Sequence, residues 1–337
     1  MTDGIRWTGI GSWPGTDIGD AVKIAFAECP DLPYLPELPA RGPHAQLVGR
    51  TTALMSGLAV DLQPAGWRLT DAPGRDARLA RSLFRSDLDM LEEVAQGYAG
   101  PVKISVGGPW TAVAMMERPR GDRVLADSGA RRDVAQSLAD GLGELVAELA
   151  RRLPDVTLLV QLDEPLLPAV LAGAVPTASG FSRHRVVDRP EVAGAYTAIV
   201  DRLVGAAPAR TPVVVHCCAV DTPVALLRQA GVDGVALDLG QMGTSTWDAV
   251  GAGLSEGMWF GAGALPTSSP GADLPHADKV AGRLLRRLDD LGLDAEAGAA
   301  TVLTPACGLV GFTRDQAVGA LRTLRDAADV VSDRLLG

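Results

Sequence analysis

The 337-residue chain has 41 acidic against 31 basic side chains, a formal net charge of −10, and is 47% apolar and 21% charged. That length and apolar content suit one large α/β domain or two ordinary ones with a sizeable buried core. The acidic balance argues against nucleic acid or an anionic membrane surface as the main partner. No apolar run approaches the ~18–20 residues of a membrane span. The opening Met1-Thr-Asp-Gly-Ile-Arg-Trp lacks the basic and apolar regions of a signal peptide. Four cysteines, two of them adjacent at Cys217 and Cys218, do not make a disulfide framework. They point to a reducing, cytoplasmic setting in which any special cysteine is metal-bound or catalytic.

In chain order, Arg6 to Ser12 reads as a short strand running into a Gly-rich turn, then loop, then a helix over Asp20–Cys29 with Val22, Ala25, Phe26 and Cys29 on one face. Asp31 to Pro39 is laced with proline, which a central strand tolerates poorly, and predicts an irregular or edge-like strand. Helices follow over Pro43–Leu58 and Asp76–Tyr98, separated by a loop around Pro64 to Trp67. Val102–Gly108 is a strand and Arg118–Asp122 a loop. Asp133–Leu153 is a long amphipathic helix with Val134, Leu138, Leu142, Leu145, Val146 and Leu149 in one stripe. Thr157–Glu164 is a strand stopped by Pro165, and Pro190–Gly205 a helix. Thr211–Ala219 is the next strand, with helices at Thr222–Gly231 and Thr246–Glu256 flanking a strand at Gly234–Asp238. Met258–Ala264 is a strand, Pro275–Leu291 a helix and Thr301–Gly308 the last strand. Thr313–Leu335 closes the chain as a helix, with Thr313 and Gln316 suited to a capping box.

Eight apolar strands, each followed by helical material, predict an α/β fold with a parallel sheet and helices outside, specifically a (β/α)8 TIM barrel over residues 1–337 as a single domain. The absence of G-x-G-x-x-G after the first strand weakens an open dinucleotide-binding sheet.

In such a barrel the chemistry gathers at the carboxyl ends of the strands. Those ends carry Ile10-Gly11-Ser12, Glu37, Gly107-Gly-Pro109, Gln161-Leu-Asp163-Glu164, His216 with Cys218, Asp238, and Cys307-Gly308. In Pro212-Val-Val-Val-His-Cys-Cys218 alternate side chains share a face, so His216 and Cys218 point one way and Cys217 the other. An imidazole and a thiol side by side are two zinc ligands; a satisfied core histidine beside inert cysteines is the plain alternative. Cys307 supplies a third donor and Asp238 a fourth, the carboxylate being the one a substrate thiol would displace; a buried structural cysteine and a salt-bridged rim carboxylate are their alternatives. Of the pair before Pro165, Asp163 shares its face with Gln161 and is expected inward, where it would hold an ammonium group; a helix-capping role for one of the pair is the other reading.

These residues resemble the catalytic domain of cobalamin-independent methionine synthase. The matching pieces are Ile10-Gly-Ser-Trp-Pro14, Gly108-Pro-Trp-Thr111, Gln161-Leu-Asp-Glu-Pro165, His216-Cys-Cys218 and Pro305-Ala-Cys-Gly-Leu309, in family order and covering nearly the whole chain. The resemblance implies Zn2+ held by His216, Cys218 and Cys307, with Asp238 where the family has a Glu ligand. It implies that Ile10, Gly11 and Ser12 hold the carboxylate of homocysteine, and that Asp163 and Glu37 hold its amino group. Ser12 and Asp163 are thus the candidate catalytic pair. The implied activity is methyl transfer to a thiol that the zinc site keeps deprotonated, giving methionine.

Two departures bear on the donor. The full-length family enzyme has a second, N-terminal barrel that helps bind folate polyglutamate, for which this sequence has no room. The stretch after Trp67 also lacks the Arg-x-x-x-Pro-Pro pattern found near the folate. Short archaeal-type relatives take the methyl group from a corrinoid protein, so folate and corrinoid protein both stand as donors, and Arg183-His-Arg185 is either a contact to an anionic donor or a solvated basic loop. The rival functions are a lyase similar to uroporphyrinogen decarboxylase, which would need a basic cleft where this rim is acidic, and a non-catalytic zinc- or thiol-binding barrel.

Overall fold

A computed structural model of the chain describes residues 4–293 and 298–336. Met1 to Asp3, on which the signal-peptide reading partly rests, lie outside the described residues. Among the described residues no helix is long and apolar enough to cross a membrane.

The chain opens with β1 (Arg6–Trp7) and α1 (Ile18–Glu28), followed by α2 (Leu47–Leu54). A two-stranded antiparallel hairpin, β2 (Val60–Gln63) and β3 (Gly66–Leu69), precedes α3 (Arg75–Val94). Next come β4 (Pro101–Gly107), α4 (Pro109–Met115), α5 (Ser128–Arg152), β5 (Thr157–Asp163), α6 (Leu167–Leu171) and α7 (Arg189–Leu203). The last third holds β6 (Val213–Cys217), α8 (Val224–Gln229), β7 (Gly234–Asp238), α9 (Thr244–Ser255), β8 (Trp259–Leu265), α10 (Ala277–Leu291), β9 (Thr301–Pro305) and α11 (Arg314–Leu336). Apart from the hairpin, the strands form one seven-stranded sheet in the order β1-β9-β8-β7-β6-β5-β4, every pair parallel. This is the α/β architecture expected, with the sheet curled like a TIM barrel but left open between β1 and β4.

The gap falls where the second of the eight expected strands was placed. Residues 33–37 run through it without forming a regular strand. Leu35 N–H donates to Lys103 O (3.0 Å) and Lys103 N–H to Pro33 O (2.9 Å) on one side; Glu37 N–H donates to Gly11 O (3.1 Å) and Trp13 N–H to Glu37 O (2.8 Å) on the other. Pro33, Pro36 and Pro39 carry no N–H, so a continuous ladder cannot form here. Isolated bridges are what remain.

Strand alternation sorts the side chains as the sequence implies. On β5, Leu158, Val160 and Leu162 pack outward in the large core between sheet and helices. Leu159 points inward, into a small apolar plug with Ile10, Val214 and Ala236. On β6, Val213, Val215 and Cys217 are in the outer core, and Val214 is in the plug.

Several boundaries differ from expectation for local reasons. α5 starts five residues before the expected Asp133 because Asp127, its N-cap, accepts the Ala130 N–H (2.9 Å). The expected helix over Pro43–Leu58 shrinks to α2, and the expected loop near Trp67 is the β2–β3 hairpin, tied to the rest by Arg68 on Glu117. The capping box ahead of α11 is present: Thr313 N–H donates to Gln316 Oε1 (3.1 Å) and Gln316 N–H to Thr313 Oγ1 (3.3 Å).

α5 approaches α2 closely because Gly141 has no side chain; a Cβ there would come within 1.7 Å of the Leu54 carbonyl oxygen. Gly141→Ala is therefore expected to lower stability by roughly 1–3 kcal/mol, the usual cost of overpacking. Urea unfolding of the two proteins checks this; an unchanged midpoint would show that α2 can shift freely.

Candidate active site

The parallel register aligns Asp163 at the end of β5 with His216 on β6. His216 Nδ1 lies 2.8 Å from Asp163 Oδ1, and the same oxygen accepts from Gln161 Nε2 (2.7 Å). His216 is buried, and among the described residues its Nε2 has no hydrogen-bond partner. A buried polar nitrogen without a partner is costly and rare. Burial disfavours the charged ring, but the hydrogen bond and charge of Asp163 outweigh it and raise the His216 pKa.

Cys218 follows β6 on the His216 side, and Cys307 follows β9. Their sulfurs are 3.4 Å apart. One donor atom from each of His216, Cys218 and Cys307 falls within 4.8 Å of the others. The Cys307 thiol is lowered to about 6, chiefly by its hydrogen bond with Cys218 and against its burial, with His216 adding to the effect. Cys218 is raised by the same hydrogen bond and by burial. Cys217, facing the outer core, is pushed up to about 11 by burial and is an inert thiol. Two neighbouring sulfurs, one of them on a thiol that readily gives up its proton, beside a bare imidazole nitrogen are the donor types zinc takes. The residues present fit the ion.

This group lies in a cavity of about 220 Å³ whose wall also includes Ile10, Ser12, Glu37, Asp163 and Gly308. Pro39, Leu47 and Pro165 give it an apolar side. Gly11 is just behind, where a Cβ would meet Ser105 at 3.3 Å and Glu37 Oε1 at 3.6 Å. At Gly308 a Cβ would come within 1.8 Å of Ser12 Oγ, so a side chain there would force the Ser12 hydroxyl out of its present position. Glu37 is buried, its Oε1 accepts no hydrogen bond, and Arg50 Nε is 3.7 Å away. Burial pushes the Glu37 carboxyl up to about 7; Arg50 pulls it down and Asp163 pushes it up further.

The candidates thus separate. Ile10, Ser12, Glu37, Asp163, His216, Cys218 and Cys307 come together around one cavity. Asp238 does not join the His-Cys-Cys group or this cavity wall among the described residues; its Oδ1 turns back to accept the Gly240 N–H (2.8 Å). An aspartate readily closes such a two-residue turn on its own backbone. Arg183 and Arg185 are exposed on the loop after α6, which the cavity wall does not include.

Glu164, next to Asp163, points the opposite way and caps α4. It accepts from Trp110 N–H (3.0 Å), Thr111 N–H (2.7 Å), Thr111 Oγ1 (2.7 Å) and Tyr196 Oη (2.9 Å). The pair before Pro165 therefore divides into one inward and one capping carboxylate. Burial raises Glu164 from its ordinary 4.5 to about 7, against the lowering effect of these hydrogen bonds. A carboxyl raised on folding adds stability below its unfolded value and loses it as pH rises through the folded one. Glu164→Gln is expected to lower stability overall, since an amide NH2 would face donors, yet to flatten its decline between about pH 5 and about pH 8. Unfolding at both pH values measures this. Glu37, shifted in the same direction, keeps a residual slope, and an unchanged slope would show that Glu164 does not titrate there.

Two features went unread in the sequence. Lys103, in the middle of β4, is fully buried and its pKa is lowered to about 8 by burial. Its one signal was a lysine inside an otherwise apolar strand. Arg50 and Asp87 form a buried ion pair behind Glu37, joined by Arg41; a helix periodicity alone does not reveal that partnership.

A family model described as the catalytic domain of cobalamin-independent synthase matches residues 93–330, well over half of the chain. The fold is similar to that of a B12-independent methionine synthase from Shewanella sp. W3-18-1, solved in complex with selenomethionine: TM-score 0.60 at 16% identity, covering 98% of this chain and 99% of that one. It is also similar to a methyltransferase from Methanosarcina mazei, with TM-score 0.56 at 13% identity, covering 100% and 96%. No curated protein sequence matches the chain at significant similarity.

Proposed function

Because the chain belongs to the family of cobalamin-independent synthase catalytic domains and is a methyltransferase, we propose that it moves a methyl group onto the thiol of homocysteine to give methionine, with zinc held by His216, Cys218 and Cys307. The observation that carries this reading is the unpartnered Nε2 of buried His216 beside two sulfurs, in a cavity that also presents two carboxylates and a backbone turn.

Zinc bound there supplies Lewis acidity that keeps an acceptor thiol, ordinarily with a pKa of about 8.5, deprotonated at neutral pH. The remaining roles fall to the chain itself. Asp163 orients the His216 ring by accepting from Nδ1, which leaves Nε2 as the donor atom. Glu37 and the second oxygen of Asp163 receive the substrate ammonium group, and the Ile10–Ser12 turn, with the Ser12 hydroxyl, receives its carboxylate. Pro39, Leu47 and Pro165 keep water from the reacting sulfur. The thiol proton leaves to solvent, the S–C bond forms and the bond between the methyl carbon and its donor breaks. With Asp238 turned onto Gly240, the residues that would hold zinc are His216, Cys218 and Cys307.

The donor is a methylated folate or a methylated corrinoid protein, and the setting is the cytosol, which suits four unpaired cysteines. Protein purified without chelator, supplied with homocysteine and each donor in turn, should yield methionine by mass spectrometry with one of them. No methionine from either donor would overturn the reading. Zinc retention without methyl transfer would favour a non-catalytic binding protein.

A further inference from the structure

We propose that Lys103 is a positioning residue that fixes both halves of the site, the Ile10–Ser12 turn and the His216 ring, through one buried chain of hydrogen bonds. This deepens the reading of His216 as a metal donor and rests on it in part.

The chain runs without a gap. Lys103 Nζ donates to the Gly9 carbonyl, to Ile10 O (3.1 Å) and to Gln161 Oε1 (2.8 Å). Gln161 Nε2 donates to Ile10 O (2.9 Å) and to Asp163 Oδ1 (2.7 Å), and Asp163 Oδ1 meets His216 Nδ1 (2.8 Å). Ser105 Oγ donates to the same Ile10 carbonyl (2.9 Å).

The directions are set from both ends, by the Lys103 ammonium group that can only donate and the Asp163 carboxylate that can only accept. Gln161 must therefore turn its oxygen to Lys103, which sends its NH2 to Ile10 and Asp163. The Asp163 oxygen can only accept, so His216 carries its proton on Nδ1 and leaves Nε2 bare. The Ile10 carbonyl, holding three donors, cannot rotate, and the Gly11–Ser12 turn that follows it is set with it. A lysine buried among apolar strands is costly unless such partners are present; here they are the Gly9 and Ile10 carbonyls, which lead into the Gly11–Ser12 turn, and Gln161, which leads to His216. The Tyr34 ring, 5.5 Å from Nζ, closes the remaining side.

The test has two readouts. The first uses metal-free protein labelled with 15N-histidine near neutral pH, below the value of about 8 at which Lys103 gives up its charge; four histidines keep the spectrum simple, and His216→Gln assigns the signal. Wild type should show a sharp, slowly exchanging His216 Nδ1 proton held by Asp163, and Lys103→Met a broadened, faster-exchanging one, because Asp163 still accepts from Nδ1 but Gln161 no longer holds it in place. The second is zinc affinity by chelator competition, expected to fall about 10–100-fold in Lys103→Met, as for loss of other partners behind a metal ligand. Gln161→Leu breaks the chain below Lys103 and should reproduce both effects, which keeps the test open if Lys103→Met does not fold. A folded Lys103→Met with the wild-type His216 signature overturns the proposal, as does Gln161→Leu without effect. Wild type that holds no zinc but shows the signature, lost in Lys103→Met, would sink the metal reading and leave the role of Lys103 standing.

Discussion

Cys307→Ser is expected to lose zinc almost completely and methyl transfer with it. A serine hydroxyl is a poor replacement for a thiolate on a soft site, and its proton is not given up at neutral pH. The loss should exceed the roughly 10–100-fold that follows removal of a mere outer partner, so metal analysis after dialysis should find a small fraction of the wild-type content. Cys218→Ser should behave alike, since the two sulfurs sit 3.4 Å apart. Cys217→Ser, altering a thiol that faces the outer core, should keep its metal while losing some stability. Equal zinc in Cys307→Ser and wild type would move the metal, and with it the proposed chemistry, elsewhere.

The largest stability loss is expected from Asp87→Ala. Asp87 on α3 is buried and takes two bonds from Arg41 (2.7 Å each) and one from Arg50 (2.9 Å). Arg50 is buried as well, stacked 4.9 Å over the Phe84 ring, with Nε and Nη2 making no hydrogen bond among the described residues and Glu37 Oε1 3.7 Å from Nε. Removing Asp87 leaves that cation without its close counter-ion, at a cost of about 3–5 kcal/mol. Adding Arg50→Met to Asp87→Ala should recover part of the loss, because the uncompensated charge goes with the side chain. Urea unfolding of the three proteins decides it. A double variant less stable than Asp87→Ala would mean that Arg50 is valued for its packing on Phe84 rather than tied to Asp87 by charge.

Much of this was legible in the chain because strands alternate. The two faces of Val213 to Cys218, the inward turn of Asp163 and the outward turn of Glu164 all follow from a period of two. The long helices follow from apolar stripes and caps. What escaped was set by partners distant in sequence. Nothing near Lys103 announces Gln161, and nothing near Asp87 announces Arg50. Asp238 was placed at the right strand end, but its side chain found a nearer partner in its own backbone. The proline-laced segment was expected to be irregular; that it would leave the regular sheet open depended on both neighbouring edges at once.

The two sulfurs belong to positions 89 residues apart, and the later one follows the last strand of the sheet. During synthesis, therefore, a chain emerging from the ribosome holds only two of the three proposed donors, His216 and Cys218, until Cys307 has left the exit tunnel and β9 has docked. Completion of the proposed site therefore waits on the closing of the sheet at its last strand.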